Sequence, residues 1–92
     1  MSPLPSKVTI ADGAVSRELN GQRVLLNVKT GSYFGLDEVA ARIWQLLESE
    51  SQPPEISARI TREYDVAREQ CEQDLAALLQ SLAESGLVIL GR

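Results

Sequence analysis

Few side chains in this 92-residue chain have chemical reach: one thiol, Cys71, two close carboxylate pairs, Glu69 with Glu72 and Asp37 with Glu38, and Asp74 among apolar neighbours. A thiol offers nucleophilic or metal chemistry, and paired carboxylates offer general acid–base chemistry. Neither finds its usual companion. The chain has no histidine, so the commonest general base and the commonest zinc ligand are missing. One cysteine makes neither a metal cluster nor an internal disulfide. Cys71 falls on the apolar stripe of a helical stretch, where a cysteine serves as a small core residue, and the carboxylate pairs fall on helix positions where solvated acids are the rule. Gly31 and Gly35 build no phosphate-holding loop, because no helix follows them at the required distance. The chain is expected to be no enzyme and to need no cofactor and no metal.

Charge and length narrow the classes further. Nine basic against 13 acidic residues give a formal net charge of -4, which argues against nucleic acid or an acidic membrane as partner. No apolar run approaches the roughly 18 residues of a membrane span. The start MSPLPSKVTI lacks the basic-then-apolar order of a secretion signal, so the expected location is the cytoplasm. With 43% hydrophobic residues the chain can close one small core, a single domain over residues 7–92 behind a flexible arm, residues 1–6, that contains Pro3 and Pro5.

The elements that must position any site follow from local pattern. Lys7 to Ile10 alternates as a short strand, and Asp12-Gly13 is a turn. Val15 to Leu19 and Gln22 to Val28 flank Asn20-Gly21, the signature of a tight type I′ hairpin. Thr30-Gly31-Ser32 supplies a second turn before the β-prone run Tyr33-Phe34-Gly35-Leu36. Asp37 then caps a helix in which Ala40, Ile43, Trp44 and Leu47 share one face, with Trp44 read as core. After a polar linker, Pro54 opens a second helix carrying Ile56, Ile60 and Tyr64, ending near Asp65-Val66. A third helix from Ala67 to Ser85 has the stripe Cys71, Leu75, Leu78, Leu79 and Leu82, with Gly86 as its stop. Leu87 to Leu90 is an apolar tail, pinned on the core or forming a last strand. The expected fold is α+β, a three-stranded antiparallel β-meander followed by three α-helices in the winged helix-turn-helix manner.

In this meander the middle strand has both edges used, whereas Tyr33 to Leu36 keeps one edge free. That edge carries neither the Lys nor the Pro that usually blocks pairing, and Gly35 lets another backbone approach. It invites an added strand, either a peptide or the same edge of a second copy, an edge-to-edge homodimer. Helical geometry sets Cys71, Asp74 and Leu78 along one flank of the third helix, with Ala67 a turn earlier. Tyr33 and Phe34 point to opposite faces, and the sequence alone leaves open which of them faces the groove.

The string LLNVKTGSYFGLDEVAARIWQLL, followed by Tyr64-Asp65-Val66, Asp74-Leu75, Leu78, Leu82 and Gly86-Leu87-Val88, resembles the PqqD-like family, the RiPP precursor peptide recognition elements. The specific part is the spacing of Asn27, Thr30-Gly31, Tyr33, Leu36-Asp37, Ala40 and Ile43-Trp44. The resemblance implies a non-catalytic module that binds the leader segment of a ribosomally made precursor peptide as an extra strand, against the third helix. Transferred to this chain, the peptide-binding residues are Ser32, Tyr33, Phe34, Gly35, Leu36, Ala67, Cys71, Asp74 and Leu78. The TGSYFGLD wording, with Lys29-Thr30-Gly31 in the turn, is closest to the free-standing proteins of lasso peptide biosynthesis. That comparison implies a leader peptidase, or another maturation enzyme, as the working partner.

The rival is a winged-helix DNA-binding regulator, which shares the architecture. Its charge pattern is opposed here. From Ala67 to Ser85 the one basic residue, Arg68, stands against Glu69, Glu72, Asp74 and Glu84, and the wing turn offers only Lys29. Arg59, Arg62 and Arg68 are read as surface residues, available to an acidic leader segment or a partner enzyme.

Overall fold

The computed structural model describes residues 4–91. In chain order the elements are β1 (Lys7–Ile10), β2 (Ala14–Leu19), β3 (Gln22–Asn27), β4 (Ser32–Leu36), α1 (Glu38–Glu48), α2 (Pro53–Tyr64), α3 (Arg68–Glu84) and β5 (Val88–Gly91). A three-stranded antiparallel sheet in the order β2-β3-β4 precedes three helices, an α+β arrangement compatible with a winged helix-turn-helix. The apolar tail does form a strand. β5 pairs antiparallel with β1, Lys7 opposite Gly91 and Ile10 opposite Val88, so both ends of the chain close a separate two-stranded sheet.

Turn chemistry sets the meander. Asn20 and Gly21 both take positive φ, +52° and +81°, the pair of angles a type I′ turn needs to join β2 to β3 with Leu19 opposite Gln22. The second hairpin closes at Asn27 opposite Ser32, where the Asn27 carbonyl accepts from the N–H groups of Thr30 at 3.3 Å and Gly31 at 2.7 Å. β3 therefore ends at Asn27 rather than at Val28, which sits exposed in the turn.

Register decides which side chains are buried. Residues facing each other across an antiparallel ladder share a face, so Ser16, Leu25 and Phe34 lie in one row toward the helices, while Val15, Leu26 and Tyr33 lie in a row on the outer side. Leu25 is fully buried and Phe34 packs half-buried against the same core. Of the two alternating aromatics, Phe34 points inward with Leu36 and packs on the core, whereas Tyr33 is 72% exposed on the outer face.

The helices complete one core. Asp37 caps α1, its Oδ1 accepting from Ala40 N at 2.8 Å. Ile43, Trp44, Leu46 and Leu47 of α1, Ile56 and Ile60 of α2, and Cys71, Leu75, Leu79 and Leu82 of α3 are buried in one cluster with Leu25, Leu36, Leu87 and Val88. Pro53 already occupies the first turn of α2, one residue before the expected start, and Asp65 ends that helix in the left-handed region. Ala67 is the N-cap residue of α3 rather than its first turn. Of the expected arm, residues 1–3 lie outside the described residues, while Leu4 packs partly buried against the core.

Candidate functional site

β4 is an edge strand. Among the described residues its ladder partner is β3 alone, so alternate residues from Ser32 to Leu36 turn their backbone N–H and C=O away from the sheet. The opposite edge, β2, is different in kind: it carries Arg17 and Glu18, charges of the sort that keep edges from pairing. β4 reads Ser-Tyr-Phe-Gly-Leu and has no such guard. Gly35 has room beside it, since a Cβ there would meet only the Gln22 amide at 3.4 Å.

Past the end of β4, where Asp37 turns the chain into α1, a groove of about 330 Å³ opens between α1, α2 and α3. Ile43, Ile60 and Cys71, all buried, form its floor, and the half-buried Leu78 lies beside them. Val39, Ala40 and the exposed Val66 make its apolar rim, and Asp37 and Asp74 are its acidic side chains. Asp74 Oδ1 accepts from Gln70 Nε2 at 2.9 Å. Cys71 is 5% exposed, and its sulfur lies 3.9 Å from Ser57 Oγ and 3.8 Å from the Ser57 carbonyl, the surroundings of a packed thiol.

Two polar devices hold the walls of this groove in place. Arg42 of α1 donates through Nε and Nη2 to both carboxylate oxygens of Glu63 on α2, at 2.8 and 2.9 Å. That fork raises the Arg42 pKa and holds the Glu63 carboxyl below its ordinary range. At the other end, the buried Asn27 donates from Nδ2 to the carbonyls of Ser85 and Gly86, fastening the end of α3 to the sheet.

The structure therefore brings Cys71, Asp74 and Leu78 into one groove that meets β4 only at Asp37, the residue after its end, while Ser32, Tyr33, Phe34, Gly35 and Leu36 do not line it. It leaves Ala67 out of the lining: as N-cap residue it gives its carbonyl to Cys71 N at 2.9 Å, and Val66 takes the place on the rim. Leu78, counted with the buried stripe, is half-exposed because it stands at the groove's edge. Asp37 was legible as a cap but not as a groove residue. Val39, Ile60 and Val66 gave no signal beyond ordinary apolar patterning.

The profile of the family described as Coenzyme PQQ synthesis protein D (PqqD) matches residues 22–88, from the start of β3 to the start of β5. The chain belongs to the PqqD family. Two solved structures resemble this PqqD-family chain closely. One is TbiB1 in complex with the TbiA(beta) leader peptide, 45% identical, with a TM-score of 0.81 over 87% of this chain and 93% of that one. The other is a lasso peptide synthetase B1 complexed with its leader peptide, 31% identical, with a TM-score of 0.82 over 91% and 99% of the two chains. No curated protein sequence matches the chain. The PqqD-family match spans β4, α1, α2 and α3, the elements that build the open edge and the groove.

Proposed function

We propose that this chain is a RiPP recognition element that binds the leader segment of a ribosomally synthesised precursor peptide by strand addition to β4. The observation that carries this reading is the unguarded β4 edge, whose end leads through Asp37 into an apolar groove. Main-chain hydrogen bonds to β4 supply affinity, and alternate leader side chains, those turned toward the helices, enter the groove and supply selectivity. The other alternate set joins the outer row of Val15, Leu26 and Tyr33, in view of an enzyme. The two leader-peptide complexes among its structural relatives support the same reading.

The bound leader is presented to a maturation enzyme, the leader peptidase of lasso peptide processing, and this chain is the non-catalytic partner in that step. DNA binding is disfavoured by α3, whose exposed positions carry Glu69, Asp74 and Glu84 while its Arg68 is paired with Glu72 at 3.4 Å. Calorimetry with the cognate leader and a scrambled peptide tests the proposal. The expected result is a dissociation constant of roughly micromolar or tighter for the leader, about -8 kcal/mol, and none for the scramble. Equal or absent heat from both sinks it.

A further inference from the structure

The groove has a one-sided chemistry. Its lining is apolar apart from Asp37 on the α1 side and Asp74 on the α3 side, and no Lys or Arg contributes to it. Each carboxylate has one oxygen committed to a neutral donor, Ala40 N for Asp37 and Gln70 Nε2 for Asp74. The ion pairs among the described residues, Arg42 and Arg59 with Glu63 and Arg68 with Glu72, involve neither. Two exposed carboxylates thus stand in the lining of an apolar slot with no counter-charge among the described residues.

Resting on the leader-binding reading, we propose that the groove selects a peptide that places a Lys or Arg two residues from an apolar anchor. On an added strand, side chains at i and i+2 share a face and lie about 7 Å apart, so both would enter from the same side. The anchor fills the floor over Ile43, Ile60 and Cys71. The cation lays its methylene stem along the apolar rim and brings its head to the carboxylates, a way of matching an apolar wall and a charged lip with one side chain. An acidic residue at the same position meets two like charges, which adds rejection to attraction.

A display library of randomised peptides, panned against the whole protein and against the Asp37→Asn/Asp74→Asn variant, tests this. Asparagine keeps the α1 cap, so the variant removes charge without removing the fold. The parent is expected to enrich peptides with an apolar residue and a Lys or Arg two positions apart. Replacing that cation by Gln should weaken binding to the parent by about threefold to tenfold, in line with partly exposed ion pairs, and leave binding to the variant unchanged. Binding to the parent should also weaken as salt is raised. A selected pool without cations, or the same pool from both proteins, overturns the charge selection while leaving strand addition standing. No enrichment at all, or peptides that bind a folded Gly35→Pro protein as well as the parent, overturns the leader-binding reading itself.

Discussion

Asn27 and Gly86 form the joint between the sheet and the last helix. Asn27 Nδ2 donates to the Gly86 carbonyl at 3.3 Å and to that of Ser85 at 3.1 Å, while Oδ1 accepts from Lys29 N at 3.0 Å. Gly86 sits at φ +72°, and a Cβ on it would stand 2.8 Å from the same nitrogen. The asparagine therefore demands a residue without a side chain at position 86, both for the backbone angle and for space.

Gly86→Ala should destabilise the fold by about 1 to 3 kcal/mol, since it adds the strain of a left-handed alanine to the displacement of the Asn27 amide. Asn27→Asp should cost at least as much, because a carboxylate cannot donate to the two carbonyls and sets negative charge against them. Urea unfolding of both variants checks this. Wild-type midpoints in both would show that the joint carries no weight.

Gly35→Pro should abolish leader binding while leaving most of the helical signal in circular dichroism, because proline's ring and fixed φ disturb the β4 edge and not the helical core. Gly35→Ala is the control. Its Cβ meets only the Gln22 amide at 3.4 Å, so it should fold and bind close to the parent.

Leu78 and Leu79 are neighbours with different duties. Leu79 is fully buried, and Leu79→Ala should cost about 2 to 5 kcal/mol of stability. Leu78 stands half-exposed at the groove, so Leu78→Ala should cost about 1 to 2 kcal/mol, less than a fully buried leucine, yet weaken leader binding. Asp74→Ala should weaken binding with the melting point nearly unchanged. Paired thermal melts and titrations separate the three.

The Arg42–Glu63 fork gives stability a pH dependence of known sign. The folded-state pKa of Glu63 lies below its unfolded value, with the Arg42 hydrogen bond the main cause. Its contribution is therefore fully present above the ordinary glutamate range and is lost as pH falls through the folded value. Glu63→Gln should flatten the acid limb of the stability profile relative to the parent. An unchanged acid limb would show that the fork adds nothing in solution.

Much of the fold was legible because it is written locally. The Asn20-Gly21 turn, the Asp37 cap and the helical stripes each need only a few neighbouring residues. The β1–β5 pairing does not, for it joins Lys7 to Gly91 across nearly the whole chain, and two four-residue strands carry no local mark of each other. The inward choice of Phe34 over Tyr33 depends on Phe34 lying opposite Leu25, a register that alternation within β4 alone cannot supply. At the site, Cys71, Asp74 and Leu78 were readable from helical spacing. Ala67 is the N-cap residue of α3 and does not line the groove, whereas Val66 in the turn before it does. Asp37 was hidden by its own role as a cap.

Backbone amide chemical-shift mapping of labelled protein titrated with the cognate leader tests the central claim most directly. The account predicts that amides of Tyr33 to Leu36 on β4 and of Cys71 to Leu78 on α3 move together and saturate at one equivalent, as a strand docks between them. Shifts confined to α2 around Arg59 and Arg62, with β4 unmoved, would contradict it.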